Sequence, residues 1–269
     1  MMLIYLNEVP QKVKPGTRLY ALRDNINSNA DILIVNGHPT NSDLELHEGD
    51  HIVMITRGKQ PSASELESLM MARHTPGVHE KIKHGCVGIA GAGGLGSLVA
   101  IALARVGVGK LNIADYDLVE PSNLNRQHYF IDQIAIPKVF ALRDNLQRIN
   151  PGTKINCYNQ KVTPENITEI FGEVDILVEA FDGADQKAML TNHFLSHFPG
   201  KILVAASGIA GYGPSNSIRT TKISDHFYLC GDGITAAEPG CGLMAPRVGI
   251  AASHQANAVI RLLLNENPE

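Results

Sequence analysis

The chain of 269 residues has no tryptophan, and aromatic residues make up only 5% of it, so aliphatic and small side chains must fill its core. Its four cysteines, Cys86, Cys157, Cys230 and Cys241, never form a C-x-x-C pair. A zinc knuckle, a dithiol motif and a disulfide framework therefore have no support in the sequence, and reduced thiols are expected. No segment reaches the roughly eighteen consecutive apolar residues that a membrane span needs. The start, MMLIYLNEVPQKVK, lacks the basic head and apolar run of a signal peptide. A soluble, cytoplasmic protein without a membrane partner is predicted. Positive charge is not in excess, with 23 Lys and Arg against 27 Asp and Glu, so the footprint that holds nucleic acid through its phosphates is missing. The eleven histidines show no H-E-x-x-H or clustered spacing, and none reads as catalytic or metal-bound.

What the chain does have is a hydrophobic fraction of 44%, sufficient for one good core and a smaller second one. Residues 1–58, 59–84 and 85–269 read as a small domain, a joint with a helix, and a large domain. In the first, LIYLN (3–7) and residues 10–14 suit a hairpin, closed by Pro15-Gly16-Thr17. Thr17 is a candidate N-cap for a short helix whose inner face is Leu19, Leu22 and Ile26. DILIV (31–35), an Asn36-Gly37 turn and HIVMIT (51–56) complete an α+β pattern. The joint begins KQPSAS and continues into a helical stretch with Glu65, Leu66, Leu69 and Met70, interrupted at Thr75-Pro76-Gly77. Met70, Met71, His74, His79 and His84 read as packing residues.

The large domain opens with CVGIAGAGGLGS (86–97), a buried strand running into a glycine turn, with a helix expected from Leu98 to Val106. Gly91, Gly93 and Gly96, with Gly94 among them, fit G-x-G-x-x-G: a tight turn, a close approach of backbone to phosphate, and a close helix–strand packing. The following helix N-terminus offers free N–H groups to an anion. KLNIA (110–114) is a second strand, and Asp115 at its end stands where a carboxylate reaches a ribose hydroxyl. VEPSNLNRQ is then a polar loop where a dehydrogenase would run into a crossover helix. Lys138 starts a helix through Ile149, and strands follow near 155–158, 175–180 and 202–206. Val248 to Leu264 is a closing helix rich in small residues. Such alternation predicts an α/β, Rossmann-like, mainly parallel sheet with helices on both faces.

Residues 2–57, with the phrases VNGHP and LHEGDHIVMI, resemble the β-grasp, ubiquitin-like sulfur carriers of the ThiS type. Such carriers end in a free Gly-Gly tail whose carboxylate is activated. Here the place reads ITRGKQPS, and Gly58 is followed by Lys59, which leaves docking, dimer contact or regulation as roles for this domain. GAGGLGS, IADYD, SNLNRQ, Pro137-Lys138 and a strand ending AFD at Asp182, in that order over roughly 65–265, resemble the ThiF/MoeB/HesA family of ubiquitin-activating-type adenylyltransferases. ARHTPGVHEKIK and GLMAPRVGIAASHQAN strengthen the likeness to ThiF-type proteins fused to a ThiS-like module.

The resemblance implies ATP-dependent adenylation of the C-terminal glycine of a sulfur carrier, on the route to the thiazole of thiamine. It implies that Arg126 and Lys138 contact the triphosphate, that Asn123 and Gln127 help hold it, that Asp115 takes the ribose, and that Asp182 binds Mg²⁺ through ATP. The carrier's own carboxylate is the nucleophile, so no catalytic triad is required. Each residue has a plainer role open to it: Asp115 as a strand-end cap, Arg126 as a partner of Asp132, Lys138 as a solvated helix-start lysine. Asp182 competes with Asp185, and Asp117 with Asp115.

Two departures from the family stand out. The paired C-x-x-C zinc ligands of many relatives are reduced to Cys230, so no zinc is expected. Of the two thiols in the right half of the chain, Cys241 in the glycine-flanked EPGCG ranks ahead of Cys230 as acceptor of an activated carrier, although a buried, inert cysteine is the plainer reading of both. Arg73 is a candidate for an arginine lent by a partner subunit, without the usual R-x-x-R-Q phrase. Ala251, Ala252 and Ala256 suit either a homodimer interface or a core helix. The expected partner is a separate carrier with a Gly-Gly tail. Competing functions are a nicotinamide-dependent oxidoreductase, a non-catalytic carrier-binding protein, and the related tRNA-modifying dehydratases.

Overall fold

The structure, a computed structural model, describes residues 1–7, 9–58, 66–67, 69–70, 74 and 77–269. Arg73, Glu65, Met71 and Thr75-Pro76, with the start of the polar joint, lie outside the described residues. Contacts divide the chain into two compact units, Met1–His79 and Glu80–Glu269.

In the first unit, β1 (Met2–Leu6) and β2 (Val9–Val13) form the expected antiparallel hairpin. The helix α1 (Leu19–Ile26) follows, then β3 (Ile32–Val35), β4 (His38–Thr40) and β5 (His51–Ile55). Strand order is β2-β1-β5-β3-β4, with β1 running parallel to β5. Asn36 and Gly37 both take positive φ, 50° and 81°, the twist a two-residue hairpin turn requires. That turn creates β4, a strand too short and polar to be expected from HPT. Ile4, Leu19, Leu22, Leu46, Ile52 and Met54 fill the core between helix and sheet.

Two details differ from the expected pattern. Arg18, not Thr17, is the N-cap of α1; the Thr17 hydroxyl instead donates to the Lys14 carbonyl at 2.6 Å, closing the preceding turn. Ile26, the last residue of α1, is 40% exposed.

The chain enters the second unit through α2 (Val78–Lys83). β6 (Cys86–Ala90) leads to α3 (Gly94–Arg105), β7 (Lys110–Ala114), α4 (Lys138–Ile149) and β8 (Lys154–Tyr158). Then come α5 (Ile167–Phe171), β9 (Ile176–Glu179), α6 (Ala184–His197) and β10 (Ile202–Ala206). A hairpin of β11 (Arg219–Ser224) and β12 (Phe227–Gly231) precedes the long α7 (Ala245–Leu263). The seven strands lie in the order β11-β12-β10-β9-β6-β7-β8, all parallel except β11. From β6 the chain builds outward through β7 and β8, then returns to lay β9 on the other side. That reversal opens a crevice at the carboxyl ends of β6 and β9, the place where open α/β sheets bind ligands.

Helix α3 begins at Gly94, earlier than the expected Leu98, because the glycines themselves make its first turn. It packs against α4 and α7 over one face of the sheet. The small residues Ala251, Ala252 and Ala256 of α7 are buried, so the core-helix reading holds for them. On the other face, α5 and α6 contribute Ile167, Ile170, Phe171, Leu190 and Phe194 to a core with Leu177 and Leu203. Gly88 makes room for it: a Cβ there would lie 2.8 Å from the Phe171 ring. Phe171 is fully buried, so Phe171→Ala is expected to destabilise this unit by about 3–5 kcal/mol, read as a lower urea midpoint with the slope unchanged.

Candidate functional site

The crevice holds a cavity of about 470 Å³. Its floor is the glycine turn. Gly91 has φ +101°, and a Cβ on it would meet the Ala180 carbonyl at 2.7 Å. A Cβ on Gly96 would lie 1.8 Å from the Gly91 oxygen, so only glycine lets α3 sit this close to the end of β6. Gly93, the N-cap of α3, has no side-chain cap, and a Cβ there would meet only Gln127 Nε2 at 3.7 Å. Backbone N–H groups of the first helical turn thus face space that an anion can fill.

Gly91, Gly93, Gly94, Asp115, Arg126, Gln127, Lys138 and Asp182 all line this cavity. Asp115 accepts from the Ala92 N–H at 2.7 Å and the Asp117 N–H at 2.8 Å, leaving further lone pairs on both oxygens. Burial pushes its carboxyl above the usual range, against the Ala92 amide and the charge of Lys138. Asp117 also lines the cavity, and its role is distinct: it accepts from Lys138 Nζ at 2.8 Å. Lys138 is buried, not a solvated helix-start lysine. Two turns pin it there, since Lys138 N–H also donates to the Asp117 carbonyl and Leu118 bridges Pro137.

Arg126 makes no ion pair with Asp132 or any other carboxylate among the described residues; its Nη1 donates to Asn125 Oδ1 at 2.8 Å and the Ser122 carbonyl at 3.3 Å. Gln127 is buried, its Oε1 without a partner among the described residues and its Nε2 3.7 Å from where a Cβ on Gly93 would lie. Asp182 is exposed just past β9, whereas Asp185 does not line the cavity. Asn123 is not brought to the cavity either. It is buried, with Oδ1 accepting from the Glu120 N–H at 3.1 Å, a bond that shapes the polar loop.

Several groups here were not anticipated. Glu179, almost wholly buried at the end of β9, accepts from Lys187 Nζ at 2.9 and 3.0 Å, and the same Nζ donates to the Ala206 carbonyl at 3.0 Å. Burial raises the Glu179 carboxyl while Lys187 pulls it back down. A carboxylate inside the apolar run ILVEA was the available signal. At the far wall, Asp232 accepts from the Ile234 and Thr235 amides at 2.8 Å and from Arg247 Nη2 at 2.6 Å. Arg247 also donates to the carbonyls of Gly213 and Pro214 and to Ser217 Oγ. Its signal was a lone charge in APRVGIAA.

Cys230 is buried, and burial pushes its thiol up to about 11, the state of an inert cysteine. Cys241 is half-buried in the loop joining Glu238 to the cavity-lining Leu243, with Sγ 3.1 Å from where a Cβ on Gly211 would lie.

A glycine cradle with four cationic side chains, Arg126, Lys138, Lys161 and Lys187, and three carboxylates, Asp115, Asp117 and Asp182, around one crevice suits a phosphorylated nucleotide. The ThiF family model matches residues 66–269 and the ThiS-like ubiquitin model residues 2–58. The chain belongs to the ThiF family, and a ThiS-like ubiquitin segment precedes the family region. It is 32% identical over 192 residues to the molybdopterin-synthase adenylyltransferase of Escherichia coli, covering 68% of this chain and 75% of that one. It is 37% identical over 108 residues to the sulfur carrier protein adenylyltransferase of Thermus thermophilus, 40% of each chain. With the ubiquitin-like modifier-activating enzyme 5 of Caenorhabditis briggsae and Caenorhabditis elegans, the shared region spans 31% and 32% of the relative's length. The fold is that of E. coli tRNA N6-threonylcarbamoyladenosine dehydratase in complex with ATP, at TM-score 0.66 and 20% identity over 73% of this chain and 92% of that one. It is also that of E. coli MccB with ATP, at TM-score 0.57 and 20% identity over 79% and 66%.

The far wall gives a pH-dependent expectation. Burial alone would raise the Asp232 carboxyl, but the Thr235 hydroxyl and amide, the Ile234 amide and Arg247 together hold it down at about 2. A carboxyl depressed below its unfolded value stabilises the fold above that value, and the contribution is lost as pH falls through the folded one. Asp232→Asn should therefore cost about 3 kcal/mol at neutral pH, and the gap to wild type should close between about pH 4 and pH 2 in acid thermal melts.

Proposed function

We propose that the chain adenylates the C-terminal glycine carboxylate of a separate ThiS-like sulfur carrier, using ATP, in the assembly of the thiazole of thiamine. The observation that carries this reading is the convergence of Arg126, Lys138, Asp115 and Asp182 on one cavity with the glycine turn. The Gln127 Nε2 donor, 3.7 Å from where a Cβ on Gly93 would lie, and the open side of Gly93 suit a polyphosphate on that floor.

In this reading the carrier carboxylate attacks the α-phosphorus and pyrophosphate leaves, so the site must bring two anions together and neutralise the leaving charge. Lys138, held by Asp117, and Arg126, free of any carboxylate among the described residues, supply positive charge. Asp115 takes the ribose hydroxyls, and Asp182 would hold Mg²⁺. Such a hard cation would offset phosphate charge beside that carboxylate. The carboxylate must arrive on another protein, because Gly58 is followed by Lys59 and a continuing chain. A homodimer belongs to the same reading, and the exposed apolar Phe130 and Ile131 are side chains it would cover.

Carrier-dependent ATP–pyrophosphate exchange is the expected activity. Arg126→Ala and Asp182→Ala should each lower it by about a hundred-fold or more without altering the thermal melt; exchange that persists in both variants would overturn the site. Tighter binding of NAD than of ATP by calorimetry would instead favour the oxidoreductase. Mass spectrometry of candidate carriers after incubation with ATP, read for adenylate on the terminal glycine, separates thiazole carriers from the other carriers of this family.

A further inference from the structure

Tyr129 lies two residues beyond Gln127, is buried, and donates its hydroxyl to the Ala92 carbonyl at 2.6 Å. Ala92 is the residue between Gly91 and Gly93. Its N–H is held by Asp115 at 2.7 Å, so both ends of this residue are clamped by side chains from elsewhere in the chain. The carbonyl of Ala92 and the N–H of Gly93 belong to one peptide unit, and that unit is trans. In a planar trans peptide these two groups point to opposite sides. Fixing the oxygen on the Tyr129 side therefore fixes the Gly93 N–H on the other. That N–H has no acceptor among the described residues. Gln127 lines the same cavity with its Nε2 3.7 Å from where a Cβ on Gly93 would lie, a second donor for a ligand on that side.

Resting on the nucleotide reading above, we infer that Tyr129 is a positioning residue: its hydroxyl turns the Ala92–Gly93 peptide so that the Gly93 N–H meets the phosphate chain. The segment that carries it is itself braced. The Tyr129 N–H donates to the Gln127 carbonyl at 2.9 Å, the His128 N–H to Ser97 Oγ of α3 at 3.2 Å, and Asn145 of α4 to the His128 carbonyl at 3.2 Å. One stretch, 126–129, thus presents the Arg126 and Gln127 side chains to the cavity and aims a backbone amide of the facing turn. Burial and then the charges of Asp115 and Asp117 raise the Tyr129 hydroxyl well above its usual value, so it remains a donor across the working pH range. An unhydroxylated ring would fill the same volume and leave the peptide free to rotate.

Tyr129→Phe tests this without removing the ring. Dissociation constants of ATP and adenosine are measured for wild type and variant by displacement of a fluorescent adenosine analogue, with thermal melts as a control for folding. The expected result is an ATP affinity reduced about ten-fold in the variant while adenosine stays within two-fold, since only the phosphates meet the Gly93 amide. Tyr129→Phe that binds ATP as wild type does, or that loses ATP and adenosine in equal proportion, overturns the assignment. If the wild-type chain itself displaces nothing with ATP, the nucleotide reading falls and takes this one with it. A Tyr129→Leu variant, which also removes the ring, should lose at least as much ATP affinity as Tyr129→Phe; tighter ATP binding than in Tyr129→Phe would likewise overturn it.

Discussion

Everything in the site depends on how closely α3 approaches the end of β6. A Cβ at Gly96 would fall 1.8 Å from the Gly91 carbonyl oxygen, so the helix can start where it does only because that atom is missing. The same closeness puts Gly91 against the Ala180 carbonyl of the neighbouring strand. Strand, turn and helix become one unit, and the end of β9, with Asp182 just beyond, is set in register with the phosphate floor. Registers across the parallel strands carry the constraint outward, with Ala90 opposite both Ala114 and Glu179. Asp115 then stands one residue past β7, beside the same floor.

Around that floor, charge is held by charge. Lys138 is fixed by Asp117, Lys187 by Glu179, and Arg247 by Asp232. Such pairs contribute little net stability, because desolvation consumes most of the attraction. What each does here is tie a side chain to a particular backbone: Lys187 to the Ala206 carbonyl at the end of β10, Arg247 to the loop at 213–214. Arg126 differs, pairing with no carboxylate among the described residues. It spends its donors on a neighbouring amide and a carbonyl, and so keeps its charge available to a ligand.

The glycine turn, the strand ends at Asp115 and Asp182, and the helix beginning at Lys138 were legible because each is a local pattern: a spacing, a strand followed by a turn, a proline before a lysine. The β11–β12 hairpin was not. Arg219–Ser224 is an edge strand exposed along nearly its whole length, so RTTKIS shows no alternation of apolar and polar residues to read. Glu179 and Lys187 pair across a strand-to-helix turn, and Asp232 and Arg247 across a loop and a helix start; neither spacing has meaning until the fold closes it. Asn123 was legible as a conspicuous polar residue in a conspicuous loop, but its hydrogen bond to the Glu120 amide, which shapes that loop, was not. Tyr129 could not be found from residue type at all, because its partner is a main-chain oxygen.

The Asp232–Arg247 pair has a kinetic corollary. The loop after β10, the loop after β12 and the first turn of α7 share this tether, the Asp232 and Gly233 amides add bonds to the Gly208 and Ser207 carbonyls, and Gly208 and Gly231 let the two loops interlock so closely that a Cβ on either would fall 2.0 Å or less from the other loop. No one of these segments can swing aside while the others stay. Any movement of the wall opposite the phosphate floor would therefore have to be concerted, one cooperative step in place of three independent loop fluctuations.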